Sequence, residues 1–266
     1  MDATRMLAAE YSAKVASYAT HWSPVIRPMA LPLLATLPLR TATRILDVGA
    51  GTGALLADLQ EAAPEAKVFG VDRAEGMLRA AQRSGSQRLA VMDAEHLGIG
   101  SRTVDVVVLI FVLFHLPEPT RGLRELYRVL RDGGVVGVVT WGRDPGSPGL
   151  SIWREELDQE GAAADPRDPR VMQQGSMDTI AKLKRLLTGA GFVSVTTWSR
   201  EVAHQWTLDD LVTVQAGCGM PARRLATLSP ERRHRCESRV RARLTHLTQA
   251  ELEYHAEVLF AVGQPA

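Results

Sequence analysis

At 266 residues the chain is long enough to bury a sizeable core, and it reads as one large α/β domain carrying a cap. A formal net charge of +1 supplies no global field to draw nucleic acid or an anionic membrane surface. Cys218 and Cys236 stand outside any C-x-x-C or Cys/His spacing, which argues against a disulfide framework or a zinc site.

In chain order, Met1 to Lys14 contains Asp2, Arg5 and Glu10 and no apolar signal core, and no stretch reaches about 18 uncharged apolar residues. The expectation is a cytoplasmic protein with no membrane span. Leu7, Tyr11, Val15, Tyr18 and Trp22 recur at steps of three and four, which predicts one face of a helix over residues 5–22. Pro24, Pro28, Pro32 and Pro38 then interrupt an apolar stretch and predict short or kinked helical pieces.

From Arg44 strand-like and helix-like runs alternate. Arg44–Val48 precedes a helix over 52–62, Lys67–Val71 one over 74–83, and Val104–Phe111 one over 118–130, with further strands at 88–92 and 135–141. Val-, Ile- and Leu-rich strands separated by amphipathic helices imply a doubly wound parallel sheet covered on both faces.

The first strand runs into Asp47-Val48-Gly49-Ala50-Gly51-Thr52-Gly53. Glycines at a strand-to-helix turn let the backbone approach a ligand closely. The spacing formally satisfies a dinucleotide fingerprint too, so an NAD(P)-dependent oxidoreductase is a rival reading. Asp47 tips the balance: an acid two residues before the first glycine suits the amino end of a zwitterionic ligand and is out of place beside a pyrophosphate.

Here the chain resembles the class I S-adenosylmethionine-dependent methyltransferases, in the small-molecule branch that includes ubiquinone and menaquinone methyltransferases. The resemblance covers roughly residues 10–200. It implies a seven-stranded, mostly parallel, Rossmann-like sheet with its last strand antiparallel and a helical cap. Residues 1–40 would be an N-terminal helical lid, and 41–266 the core, with cap insertions at about 142–176 and 206–248.

Asp72 ends the second strand about 20 residues past the glycines, where a carboxylate accepts ribose hydroxyls; a lone Asp there is otherwise a helix cap. Met77 is placed to pack on an adenine or in the core. By resemblance, Asp93 and the Ala94 N–H read the adenine edge, with Asp93 as an N-cap for residues 95–97 the competing reading. The cofactor set is Asp47, Gly49, Ala50, Gly51, Gly53, Asp72, Arg73, Met77, Asp93, Ala94 and Phe111, for S-adenosylmethionine and its product S-adenosylhomocysteine.

The fourth strand ends in Phe111-Val112-Leu113-Phe114-His115-Leu116-Pro117 and lacks the Asn/Asp-Pro-Pro-Tyr motif of enzymes acting on base nitrogens or glutamine. His115 is a candidate general base, or a loop-orienting residue. Paired Gly133 and Gly134 predict a tight turn into the fifth strand.

Residues 142–176 change character at Gly142, Pro145, Gly146, Pro148 and Gly149, with a short helix around Trp153–Gln159. Asp178 is expected to cap a helix ending at Gly189, followed by strands at 192–198 and 254–262. Between these strands, arginines and histidines crowd from Arg223 to Arg243. Cys236, Val240, Leu244 and Leu247 form a helical stripe with the arginines mostly off it, as on a solvated face, and aromatic residues for base stacking are missing, which argues against RNA.

The expected activity is methyl transfer to carbon or oxygen of a small, apolar or aromatic metabolite, as in secondary metabolism. Tyr11, Tyr18, Trp22, Phe114, Trp141, Trp153, His204 and Trp206 are the candidate substrate wall. No Asp/Asp/Asn metal set stands at the strand ends, and a monomer or homodimer is expected. A SAM-binding protein without transfer chemistry is the second alternative, because such transfer needs no unique catalytic residue.

Overall fold

The computed structural model describes residues 2–143 and 146–266; Met1, Asp144 and Pro145, the last expected in the turn that opens the first insertion, lie outside the described residues. The chain begins with α1 (Ala3–Ala13), whose N-cap Asp2 accepts from the Thr4 N–H. A short α2 (Val15–Ser17), a π-helical turn over Tyr18–Trp22 and α3 (Ser23–Leu34) follow.

The prolines do not break the chain where expected. α3 runs through Pro28 and Pro32, and the irregular turn falls ahead of Pro24. Pro24 sits in the first helical turn, where its missing N–H has no intrahelical acceptor to lose. The buried face of Val25, Met29, Ala30, Leu33 and Leu34 compensates for the bonds lost at the other two.

β1 (Arg44–Val48), α4 (Leu56–Ala62), β2 (Lys67–Asp72), α5 (Glu75–Arg83), β3 (Leu89–Val91), β4 (Val104–Ile110), α6 (Pro119–Val129) and β5 (Leu130–Trp141) alternate as anticipated. α7 (Pro148–Gln159), α8 (Ile180–Gly189), β6 (Phe192–Gln205), α9 (Leu208–Gly217), α10 (Gly219–Leu225), α11 (Pro230–Leu244) and β7 (Glu253–Pro265) complete the chain. The seven strands form one sheet ordered β3-β2-β1-β4-β5-β7-β6. β1 to β5 pair in parallel, and β7 lies antiparallel between β5 and β6.

Every residue of β4 is buried. Val106, Val108 and Ile110 join the core layer containing α3, α4 and α11, while Val107 and Leu109 join the layer containing α6 and α8. Alternation along one strand thus feeds both faces of the sheet. Gly137 of β5 lets α3 settle closely, because a Cβ there would lie 2.9 Å from Leu33 Cδ2.

Asp105 fastens the amino-terminal side of the sheet. Its carboxylate accepts from the Thr43 hydroxyl at 2.7 Å, the Arg44 N–H at 2.9 Å and Arg131 Nε at 2.6 Å. Gly133 and Gly134, expected in a turn ahead of the fifth strand, instead lie within β5 where its register against β4 shifts between Leu130 and Val135: Gly133 has φ +76°, and a Cβ on Gly134 would press on the Arg131 and Asp105 carbonyls at 2.9 and 3.0 Å. The cap of α8 is Thr179, whose hydroxyl accepts from the Lys182 N–H; Asp178, expected in that role, instead pairs with the Lys182 ammonium at 2.7 Å.

β6 and β7 run longer than predicted. Beyond the last β5 pairing, Trp141 with Val258, they continue as a two-stranded ribbon to Gln205 and Glu253. The inserted helices gather above them, α7 packing on α10 and α11. Cys236, Val240 and Leu244 are buried as anticipated. The arginines of α11 are not simply solvated: Arg235 and Arg239 reach Glu160 at 3.0 and 2.7 Å, and Arg243 reaches the buried Glu156 at 2.8 Å. Among the described residues no helix is long and apolar enough to cross a membrane.

Candidate active site

The β1–α4 turn holds Gly49, Gly51 and Gly53 at φ +78°, +55° and +78°. The N–H groups of Gly49 and Ala50 both donate to the Val71 carbonyl, at 2.7 and 3.0 Å, which pins the turn to β2. The glycines serve different ends. A Cβ on Gly49 would lie 2.2 Å from Val112 Cγ2, whereas one on Gly51 would meet nothing within 4 Å. Gly53 lines none of the cavities described below, and a Cβ there would lie 2.9 Å from Ala81 Cβ, a close approach that packs the turn against α5.

A cavity of about 130 Å³ opens over the carboxyl ends of β1, β2 and β4. Gly49, Gly51, Asp72, Arg73, Met77, Asp93, Ala94 and Phe111 line it, closed on the other side by Thr4, Leu7, Ala8 and Tyr11 of α1. Asp72 spans the turn: Oδ2 accepts from the Gly51 N–H at 2.9 Å and Oδ1 from the Ala74 N–H at 2.7 Å. Burial raises its pKa against the pull of those bonds. Asp93 caps the following turn through the Glu95 N–H at 3.0 Å and receives Arg73 Nη1 at 3.1 Å. Arg73 also reaches the α1 cap Asp2 at 3.0 Å, joining the two segments.

Asp47 and Ala50 lie on the other side of the turn, facing a cavity of about 40 Å³ with Tyr18, Ser23 and Arg27. Asp47 is 2% exposed, and among the described residues its Oδ1 has no hydrogen-bond partner. Burial, and then the charge of Asp72, push its carboxyl up to about 7. A buried carboxyl oxygen without a donor is costly, and a ligand N–H at the glycine turn is the kind of group that satisfies it. Phe111 takes φ +54°, rare for a bulky residue, and stacks on Trp141 with centroids 4.2 Å apart.

A second cavity of about 190 Å³ adjoins the first. Tyr11, Tyr18 and His115 line both, and Trp22, Phe114 and Trp141 form the aromatic side of the second. Between them, His115 Nδ1 faces the Val171 carbonyl at 3.4 Å, so Nε2 is the acceptor for the Tyr11 hydroxyl at 2.9 Å. Burial is the main cause that pushes the His115 pKa down to about 4 and that of Tyr11 up to about 12.

Three expected wall residues line none of these cavities. Trp153 is fully buried on the face of α7 that packs into the core, and the His204 and Trp206 rings pack on each other 4.3 Å apart where β6 ends. Conversely, Thr4 lies one turn before the Leu7–Tyr11–Tyr18 stripe, so extending that stripe backwards would have found it. Glu10, Lys14, Arg167 and Arg223 also line the second cavity. No local pattern marks Arg167, and Arg223 was hidden in a run that reads as solvated surface.

A family model for a methyltransferase domain matches residues 46–138. The malonyl-[acyl-carrier protein] O-methyltransferase of Geobacter sulfurreducens is 41% identical over 103 residues, 37% of this chain and 39% of that one. The phosphatidylethanolamine N-methyltransferase of Cereibacter sphaeroides is 30% identical over 166 residues, 53% of this chain and 80% of that one. The chain spans about half the length of the first curated relatives that it matches. The YcgJ protein of Bacillus subtilis shares the fold, with a TM-score of 0.56 at 18% identity over 88% of this chain and 96% of that one. With its ordered glycine turn, strand-end acids and antiparallel last strand, the chain belongs to the class I S-adenosylmethionine-dependent methyltransferases.

Proposed function

We propose that the protein transfers a methyl group from S-adenosylmethionine to carbon or oxygen of a small metabolite with an aromatic or apolar body. The observation that carries this reading is the set of three carboxylates, Asp47, Asp72 and Asp93, at the carboxyl ends of adjacent strands around one glycine turn. The donors and acceptors fit that cofactor. Asp47 Oδ1, buried without a partner, suits an ammonium; Asp72 suits vicinal hydroxyls; Asp93 with the Ala94 N–H suits an aminopurine edge. The open space at Gly51 admits close approach.

When bound, S-adenosylmethionine supplies a methyl group already activated on a sulfonium. What remains for the protein is to align the nucleophile, exclude water and, for a hydroxyl acceptor, take a proton. α1 covers the first cavity as a lid, and Trp22, Phe114 and Trp141 hold the acceptor's apolar body. His115 is neutral near pH 7, with Nε2 directed to Tyr11 at the junction of the two cavities. A hydroxyl acceptor that displaces the Tyr11 hydroxyl gives its proton to that nitrogen.

Calorimetric titration with S-adenosylhomocysteine, with NADH alongside and Asp72→Ala as control, tests the reading. Binding of the former that is lost in the variant, followed by transfer of radiolabelled methyl to an acceptor, supports it. Tight NADH binding without a response to S-adenosylhomocysteine returns the turn to a dinucleotide.

A further inference from the structure

One wall of the second cavity is ionic, and its charges do not balance. Glu10 from α1, Lys14 at its C-cap, Arg167 from the segment after α7 and Arg223 from α10 line it, with Asp165 joining the two guanidinium groups. Arg223 Nε meets Asp165 at 3.0 Å and Nη1 meets Glu10 at 3.3 Å; Arg167 Nη2 meets Asp165 at 2.9 Å; Lys14 Nζ meets Glu10 at 3.2 Å. Three cations thus share two carboxylates, leaving one positive charge, since His115 in the same wall is neutral. The side chains of Arg223 and Arg167 are only 11% and 19% exposed. A surplus charge so shielded from water is costly unless an anion arrives to offset it.

Trp22, Phe114 and Trp141 line the same cavity and bring aromatic surface without charge. Arg167 spends Nε and Nη2 on Asp165, and among the described residues its Nη1 has no carboxylate partner.

We propose that the methyl acceptor carries a single carboxylate, which seats on Arg167, Arg223 and Lys14 while its apolar or aromatic body lies against Trp22, Phe114 and Trp141. This rests on the methyl-transfer reading above and adds the acceptor's charge. One surplus cation matches a carboxylate monoanion; a phosphate dianion would leave a buried negative charge in excess. A planar guanidinium also presents parallel donors to a carboxylate. The cluster is therefore a specificity device: a neutral analogue of the same shape leaves the cations unmatched and binds more weakly.

The test is a tryptophan-fluorescence titration of the full chain, saturated with S-adenosylhomocysteine, against matched carboxylate and carboxamide pairs on phenol, naphthol and indole rings. At least one carboxylate is expected to bind tenfold or more tighter than its carboxamide. Arg167→Gln is expected to reduce that ratio below threefold, and Arg167→Lys to restore part of it. Affinity for S-adenosylhomocysteine, measured separately by calorimetry, stays within twofold in both variants. Arg167 is the site of choice because replacing Arg223 would also cut the tie between α1 and α10. If no carboxylate outbinds its carboxamide in any pair, or the preference survives Arg167→Gln, the proposal is overturned. Failure of the wild type to bind S-adenosylhomocysteine would instead remove the methyl-transfer reading beneath it.

Discussion

The Tyr11 hydroxyl meets His115 Nε2 at 2.9 Å across 104 residues of sequence, joining the first helix to the loop after β4 at the junction of two cavities. His115→Gln is expected to lower kcat for a hydroxyl acceptor by about 100-fold or more while leaving S-adenosylhomocysteine affinity unchanged. Tyr11→Phe is expected to cost about 1 kcal/mol of stability, through the lost bond to Nε2. Single-turnover rates and urea midpoints separate the two effects.

The same histidine sets an acid limit. Its pKa is held at about 4, against 6.5 when unburied, so the folded state binds fewer protons than the unfolded one. Its contribution to stability is complete above pH 6.5 and is lost as pH falls towards 4, a change of roughly 3 kcal/mol. Melting curves of His115→Gln over that window should show a flatter acid limb than the wild type.

Asp47 works in the opposite direction. Its carboxyl rises from 3.8 to about 7 on folding, so the folded state binds more protons, and stability falls as pH climbs between those values, by roughly 4 kcal/mol. Without cofactor, Asp47→Asn should melt higher than the wild type at pH 8 and nearly equal to it at pH 4. The same variant should weaken S-adenosylhomocysteine binding by tenfold or more. A variant that keeps wild-type affinity would remove Asp47 from the cofactor set.

Gly49 and Gly51 share a motif but predict different failures. Gly51→Ala meets no atom and adds only the strain of φ +55°, about 1 kcal/mol, so the protein should fold and lose cofactor affinity. Gly49→Ala drives a methyl to 2.2 Å from Val112 and should lower the melting temperature well before binding is considered. Calorimetry alongside thermal melts of the two variants checks the contrast.

Asp105→Ala removes the acceptor for Thr43, Arg44 and Arg131 together. A loss of about 2 to 4 kcal/mol is expected, read as a lower urea midpoint with an unchanged slope.

Much of this arrangement was legible because a parallel sheet writes itself as apolar runs that end in functional residues. Asp72 and Asp93 could be placed on the cavity from their strand ends, whereas Asp47, expected with them in one crevice, faces the smaller cavity on the other side of the turn. Gly53 could not be told from Gly51, since one fingerprint serves both packing and ligand approach. Trp153 misled because an aromatic on an amphipathic helix looks the same whether its face meets a core or a cavity. Arg167 and Arg223 come together only through Asp165, after α7 and α10 have packed, and no spacing in the chain encodes that meeting.

Within α1 only Ala3 and Thr4 are buried. Polar contacts tie it to the rest of the chain: Asp2 to Arg73, Glu10 to Arg223, Tyr11 to His115 and the Gly76 N–H to Ser12. Salt screens the two ionic ties, Asp2 to Arg73 and Glu10 to Arg223. If α1 is the lid of a methyltransferase, as proposed, and its opening limits product release, turnover is expected to rise with ionic strength.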